Sequence, residues 1–386
     1  MPEAPREYDV VVFGATGFTG ALTAEYLAKN ASEATSWAIA GRSREKLERV
    51  RERIGSPDIP IVEADVGDAG SLERLAQSTK VVITTVGPYI NYGEPVVAAC
   101  AQNGTDYVDL TGEPEFVDRM WLGYHERAQA SGARLVHSCG FDSIPYDLGA
   151  LYTVQQLPEG QPISLEGYVR VGGTFSGGTY HSAIHILGRL RQGAKVGRER
   201  RQREPRPPGR TIKGVPGRPH HDRQAGGWAV PFPTIDPQTV LRSARALERY
   251  GPEFSYSHYL VVRRLPVLAG MAVGAGTAVA LAQLAPTRNL LLKLRDPGEG
   301  PSEEQRARSW FKVMFSGQSN GTRIRTQVSG GDPGYGETSK MLAEAALSLA
   351  HDDLPKTAGQ LTPAVAMGDK LRERLQRAGI EFEVRT

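Results

Sequence analysis

Gly14, Gly17 and Gly20 stand three apart, directly behind the apolar run Tyr8–Phe13 and ahead of a stretch with helical spacing. Glycines at a strand-to-helix turn permit a tight bend, let backbone N–H groups approach a pyrophosphate, and place that anion at the positive end of the helix. The spacing G-x-x-G-x-x-G is one residue longer than the common dinucleotide fingerprint, so its weight comes from its position between strand and helix. We read Gly14, Thr16, Gly17, Phe18, Thr19 and Gly20 as a dinucleotide site; the competing reading is a purely structural turn. The second apolar run ends in Ala40-Gly41-Arg42-Ser43. No acidic residue is there to accept from a ribose 2′-hydroxyl, whereas a guanidinium suits a 2′-phosphate. Arg42 and Ser43 therefore point to NADP(H) rather than NAD, with a solvated surface arginine as the alternative. Asp65, behind the third run, and Val86, Gly87 and Pro88, at the end of the fourth, complete the candidate cofactor set.

These residues must be positioned by a regular scaffold, and the first 150 residues repeat a strand-then-helix rhythm. Apolar runs at Tyr8–Phe13, 37–40, 59–63, 81–86, 107–110 and 134–138 alternate with helical stretches at 21–29, 45–54, 69–78, 95–103 and 116–131. Continuous apolar strands between helices imply a parallel sheet covered on both faces, a doubly wound Rossmann-type α/β domain over residues 1–149. Beyond it, residues 163–172, 254–262, 310–319 and 322–329 have the period of exposed strands, and Asn320-Gly321 is a strong hairpin signal. The expected second domain, residues 150–331, is α+β and built on a mostly antiparallel sheet. Helical patterns at 338–350 and 364–378 imply that residues 332–386 return to the first domain.

Two segments depart from globular patterning. Between Arg189 and Arg223 there are 12 Lys/Arg against 3 Asp/Glu, so the overall charge of +3 conceals a net negative remainder. That localisation argues against a nucleic-acid-binding protein. Residues 197–226, rich in Arg, Pro and Gly, read as a mobile loop able to attract an acidic partner. Residues 265–287 hold no charge for 23 residues but are mostly Ala, Gly and Val. A packed helix, a patch dipping into a bilayer, or a membrane span would each fit that length.

Two cysteines, Cys100 and Cys139, cannot staple a secreted scaffold, and the N-terminal sequence lacks the layout of a signal peptide; a cytoplasmic protein is expected, with peripheral contact at the inner membrane face compatible. His181 and His185 are four apart but have no Glu between them of the HExxH kind and no evident third ligand, so no metal site is expected.

GATGFTG at 14–20, Gly41-Arg42, VGPY at 86–89, YGEPVVAAC at 92–100, DYVDLTGE at 106–113 and CGFDSIPYDLG at 139–149 together resemble the saccharopine dehydrogenase-like oxidoreductases. Within them the chain is most similar to the actinobacterial trans-acting enoyl reductases, a similarity that extends to SGGTYHSAI at 176–184, DPGYGETSKMLAEAAL at 332–347 and LTPAVAMG at 361–368. The resemblance implies an NADP(H)-dependent reductase of a carbon–carbon double bond in a polyketide or fatty-acyl thioester, carried by coenzyme A or an acyl-carrier domain. A homo-oligomer is compatible with it. Hydride delivery to the β-carbon leaves negative charge on the thioester oxygen, which a neutral donor can stabilise. Tyr89 is the leading candidate, with packing as its alternative; Tyr92 ranks lower. Asp142 is a second catalytic candidate, with a backbone-turn role as its alternative. Two other functions compete: an amino-acid dehydrogenase of the saccharopine type, and a lipid- or membrane-associated protein that binds the dinucleotide without turnover. The uncharged segment 265–287 suits an acyl chain better than a carboxylate-gripping cleft.

Overall fold

The computed structural model describes residues 6–172, 187–264 and 301–385, with 184, 266, 270, 274, 277, 281–283 and 285–292 between them. The chain divides into two compact units, one comprising Met1–Phe141 and Tyr335–Arg374, the other Asp142–Pro297, Pro301–Gly334 and Leu375–Thr386.

In the first unit, β1 (Tyr8–Phe13), β2 (Trp37–Gly41), β3 (Ile61–Glu63), β4 (Thr79–Thr84), β5 (Asp106–Val108), β6 (Arg134–Val136) and β14 (Gly359–Leu361) form one sheet in the order β14-β6-β5-β4-β1-β2-β3. Every pairing is parallel, with Val10 opposite Trp37 on one side and Val81 on the other. Val10, Val11, Val12, Val81, Val82 and Ile83 have no exposed surface. Burying each such side chain contributes about 1.5–3 kcal/mol, which explains why these strands are apolar on both faces.

The crossovers are α1 (Phe18–Asn30), α2 (Arg44–Arg53), α3 (Ala69–Ser78), the short α4 (Tyr89–Tyr92), α5 (Glu94–Asn103) and α6 (Pro114–Ser131). Because β1 lies between β2 and β4, the winding direction reverses there, and the loops leaving the carboxyl ends of β1 and β4 diverge to open a crevice. The late helix α12 (Gly336–His351) belongs to this unit and packs on α1 and on β1, β4 and β5. Tyr26 donates its hydroxyl to Glu344 on α12 at 2.7 Å.

The second unit begins with α7 (Ile144–Gln155), which packs on strands of its own sheet, so the units part at Phe141/Asp142 rather than at the expected Gly149. Its eight-stranded sheet contains β7 (Ile163–Gly172), β8 (Thr211–Gly214), β9 (His220–Asp222), β10 (Gly227–Pro231), β11 (Glu253–Val262), β12 (Trp310–Ser319), β13 (Thr322–Gly330) and β15 (Glu381–Arg385). The principal order is β15-β13-β12-β7-β11-β10-β9, with β8 joined to β11. Five pairings are antiparallel and two, β7 with β11 and β8 with β11, are parallel. The long connection from β7 to β11 is what permits a parallel pair in a mostly antiparallel sheet. Asn320 and Gly321 join β12 to β13 at φ 43° and 77°, the left-handed pair that a two-residue hairpin needs.

Three helices of this unit complete the middle of the series: α8 (Leu190–Arg203), α9 (Asp236–Ala246) and α10 (Ala285–Leu292). The short α11 (Glu303–Ala307) precedes β12, and α13 (Pro363–Ala366) and α14 (Gly368–Arg377) follow α12 in chain order.

Two expectations need correction. Residues 197–226, read as a loop, contain the end of α8, then β8 and β9. Val196, Gly197 and Arg200 are buried, Arg200 pairs with Glu204 at 3.1 Å, and the two strands gain backbone partners from β10 and β11. Backbone pairing, long-range for β8 and across a short turn for β9, thus supplies the order that local apolar content does not. The tail is also not helical throughout, since β15 ends it by placing Phe382 opposite Val328. Most of the uncharged segment 265–287, together with His181, His185 and the motif at 176–183, lies outside the described residues. Among the described residues no helix is long and apolar enough to cross a membrane.

Candidate active site

The glycine turn behind β1 is closely built. Gly14 has φ +90°, a conformation in which a Cβ is strained, and a Cβ there would meet Thr85 Oγ1 and Val86 Cγ2 at 2.8 Å. At Gly20 a Cβ would lie 2.2 Å from the Gly14 carbonyl oxygen and 2.6 Å from Thr85 Oγ1. Thr85 locks the turn by donating its hydroxyl to the Gly14 carbonyl at 3.1 Å. Gly17 caps α1 with no side-chain hydrogen bond to the helix start, and Thr16 and Gly17 are exposed. An unobstructed helix N-terminus beneath a glycine cradle fits a pyrophosphate, to which it offers N–H donors and a favourable dipole.

Arg42 is exposed at the end of β2 and forms no hydrogen bond or ion pair with the described residues, while its neighbour Arg44 pairs with Glu48 and Glu63. A cation held at this strand end without a protein partner fits a 2′-phosphate. Ser43 has a local role as N-cap of α2, accepting from Lys46 N at 3.5 Å. Asp65, beyond β3, accepts from Gly67 N at 2.8 Å and forms a turn. Val86, Gly87 and Pro88 follow β4, beside the glycine turn. The strand order therefore gathers the cofactor candidates at the carboxyl ends of four adjacent strands, β4-β1-β2-β3.

Beside this cradle the loops after β4, β5 and β6 are tied together by two buried acids. Glu113 accepts the backbone N–H of Tyr89 at 3.1 Å and of Ile90 at 3.0 Å. Asp109 accepts from Thr111 N at 3.0 Å and Ser138 N at 2.9 Å through Oδ1; its Oδ2 accepts from the Tyr107 hydroxyl at 2.9 Å and meets His137 Nδ1 at 2.6 Å. Ser138 takes φ 62°, a left-handed conformation that costs about 1–3 kcal/mol in a non-glycine residue. The Asp109 bond and the Ser138 hydroxyl donated to Thr111 O at 2.7 Å hold it there. Thr338 at the start of α12 supports the same loop, accepting from Phe141 N at 3.1 Å. The sequence reading assigned no role to Thr85, Asp109, Glu113 or Thr338, although all but Thr85 stand in the motifs it singled out.

Tyr89 is buried, and its hydroxyl donates to the Thr84 carbonyl at 3.0 Å. Burial, reinforced by the Asp109 carboxylate, raises the phenol well above its ordinary value. The Tyr89 hydroxyl thus ties the loop that follows β4 back to that strand. Tyr92 is exposed. Cys139 is fully buried, with its backbone N–H donated to Asp109 O at 2.6 Å. Burial pushes the Cys100 thiol far up, consistent with a core residue.

Asp142 opens the second unit and is half-buried. Its carboxyl is raised above the usual range by desolvation, as is that of buried Asp236. Among the described residues no His/Cys/Asp/Glu group could hold a metal ion.

Residues 10–136, covering the cradle and the loops around it, match the family described as the saccharopine dehydrogenase NADP-binding domain. A Mycobacterium tuberculosis protein provisionally named a trans-acting enoyl reductase is 39% identical over 99% of both chains. A saccharopine dehydrogenase-like oxidoreductase of Bos taurus is 34% identical over 100% of this chain and 99% of its own. The chain belongs to the saccharopine dehydrogenase-like oxidoreductases. Its cofactor is NADP, in agreement with the cradle and with Arg42. The fold agrees as well: apo saccharopine dehydrogenase (L-Glu forming) from Saccharomyces cerevisiae superposes with a TM-score of 0.56 at 12% identity, covering 98% of this chain and 100% of that one. This saccharopine dehydrogenase-like chain also resembles the trans-acting enoyl reductase of Mycobacterium ulcerans, 35% identical over 98% of both chains.

Proposed function

We propose that this oxidoreductase uses NADPH to reduce the carbon–carbon double bond conjugated to a thioester in a fatty-acyl or polyketide chain. Full-length similarity to the trans-acting enoyl reductases carries the reading.

The bound dinucleotide would supply hydride. The chain's own part is to seat the pyrophosphate on the Gly14–Gly20 turn, neutralise the 2′-phosphate with Arg42, and hold the β4, β5 and β6 loops rigid through Glu113 and Asp109. The acyl group would arrive on coenzyme A or on an acyl-carrier domain in the cytoplasm. An acidic carrier would be attracted by Arg191, Lys195, Arg198 and Arg201, which are exposed on α8 at spacings of three and four and make no ion pair among the described residues.

The deciding assay follows NADPH oxidation with an α,β-unsaturated acyl thioester and, separately, with saccharopine-type amino acids. Turnover confined to the amino acids would overturn the reading. Stoichiometric NADPH binding with no turnover on any substrate would favour a non-catalytic dinucleotide-binding protein.

A further inference from the structure

The glycine turn behind β1 has few side chains with which to hold itself. Between Gly14, Gly17 and Gly20 stand one alanine, two threonines and Phe18, and Thr16 is exposed. Glycine loses more conformational freedom on ordering than any other residue, so a rigid cradle needs contacts from outside the turn. Thr85, which follows β4, supplies one of them.

A second set comes from the far end of the chain. The ring of Phe18, the first residue of α1, meets Tyr335 edge-to-face with centroids 4.6 Å apart, an arrangement that aromatic pairs prefer. Tyr335 is 4% exposed and stands immediately before α12. One turn further on, the buried Ser339 donates its hydroxyl to the Thr19 carbonyl at 3.4 Å, across 320 positions of sequence. The contacts Phe18–Tyr335, Thr19–Ser339 and Tyr26–Glu344 advance in the same direction along both helices. α1 and α12 therefore run parallel and begin at the same end of the first unit.

α12 cannot follow a shift of the turn. Met341, Leu342, Ala343, Ala345 and Ala346 have no exposed surface, and the helix packs on β1, β4 and β5. Thr338, between the two contact residues, accepts the Phe141 N–H at 3.1 Å and so ties the first turn of α12 to the loop that leaves β6. Tyr335 and Ser339 thus present the glycine turn with a fixed wall, against which its one large side chain and one of its carbonyls are set.

We propose that Tyr335 and Ser339 are positioning residues of the NADP site. They keep Phe18 turned back onto α12 and hold the Thr19 carbonyl in place, so that the backbone N–H groups at the start of α1 stay aimed at the pyrophosphate. This rests on seating the pyrophosphate on the Gly14–Gly20 turn, as in the function proposed above.

Nucleotide titrations of the full chain test it. Tyr335→Leu keeps an apolar side chain and removes the ring; it should weaken NADPH by about 3- to 10-fold, the range that an aromatic pair supports. Tyr335→Phe retains the ring and should bind NADPH as wild type does. Adenosine 2′-monophosphate, followed by its displacement of NADPH, carries the 2′-phosphate but no pyrophosphate, so its affinity should be the same in Tyr335→Leu and wild type. General loosening of the first unit would instead weaken both nucleotides together. Unchanged NADPH affinity in Tyr335→Leu, equal weakening of both nucleotides, or a loss in Tyr335→Phe as large as that in Tyr335→Leu overturns the proposal.

Ser339→Ala removes a single oxygen and keeps the proposal open to refutation if Tyr335→Leu does not fold. A loss of about threefold confined to NADPH supports it, and wild-type affinity overturns it. Gly20→Ala, which disturbs the turn directly, separates the proposal from the seat on which it rests. Weakened NADPH in Gly20→Ala beside wild-type affinity in Tyr335→Leu rejects the positioning role alone; wild-type affinity in Gly20→Ala rejects the seat, and the positioning role with it.

Discussion

The Glu113 carboxylate accepts the backbone N–H of Tyr89 at 3.1 Å, binding the residue that opens α4 to an acid 24 positions further along the chain. Its other oxygen takes the N–H of Ile90. Glu113→Ala would leave both donors without an acceptor, at a cost of about 1–3 kcal/mol for each that stays buried. We expect a lower melting temperature together with weaker NADPH binding, because the loop running from Val86 to Pro88 would lose its anchor. Glu113→Gln retains one acceptor oxygen and should fall between wild type and alanine. Equal melting temperatures and NADPH affinities for wild type and Glu113→Ala would show that the loop is held by other contacts.

Gly20→Ala tests the cradle itself. The added Cβ would lie 2.2 Å from the Gly14 carbonyl, a backbone atom that cannot rotate aside, so the turn or the start of α1 must move. Displacing the N–H donors should weaken NADPH by about tenfold or more, equivalent to roughly 1.4 kcal/mol. Fluorescence titration with NADPH measures this directly. Wild-type affinity in the variant would mean that the pyrophosphate does not sit on this turn.

Arg42 should set the preference between the two nicotinamide cofactors. Removing a charge-assisted bond costs about 1.5–3 kcal/mol, so Arg42→Ala should lose roughly 10- to 150-fold in NADPH affinity while NADH binding changes little. Titration of both variants with both nucleotides reads the ratio. Parallel losses for NADPH and NADH would place Arg42 elsewhere in the site.

The nucleotide unit was legible because its signals are local. A continuous apolar strand, three glycines and a helix specify one another within about twenty residues, and the missing acid at Arg42 is read from position alone. What stayed hidden depends on which chain ends become neighbours. Glu113 and Asp109 were visible as parts of a motif, but their work of tying three loops together follows from β4, β5 and β6 lying side by side. For Tyr89, spacing places it in the loop after β4 and says nothing about its hydroxyl turning back to Thr84. In the basic segment, charge density concealed a helix whose buried side is only Val196, Gly197 and Arg200, a strand β8 whose partner β11 lies tens of residues away, and a strand β9 paired across a short turn with β10. The approach of Asp236 to His258 is the extreme case, since no local pattern connects a helix start and a strand.

His258 makes stability depend on pH in a direction that can be worked out. Burial lowers its value from the ordinary 6.5 to about 3 in the folded chain. Between those values the unfolded chain binds a proton that the folded chain refuses, so this residue's contribution is complete above about pH 6.5 and diminishes as the solution is acidified. At about pH 5 the loss should be on the order of 2 kcal/mol, since each unit of difference corresponds to about 1.4 kcal/mol. The raised carboxyls of Asp142 and Asp236 act in the opposite sense, with contributions present below their unfolded values and lost as pH rises, so the net slope of wild type alone does not isolate the histidine. Comparison with His258→Gln does. The variant loses the bond between His258 Nδ1 and the Tyr256 hydroxyl and should be the less stable protein near neutrality, but it carries no imidazole to protonate on unfolding. Urea denaturation of both proteins at about pH 7.5 and about pH 5 should therefore show the gap between them narrowing by on the order of 2 kcal/mol on acidification. A gap that stays constant between the two conditions would mean that His258 is protonated in the folded chain as readily as in the unfolded one, and that the core around Asp236 already accommodates a cation.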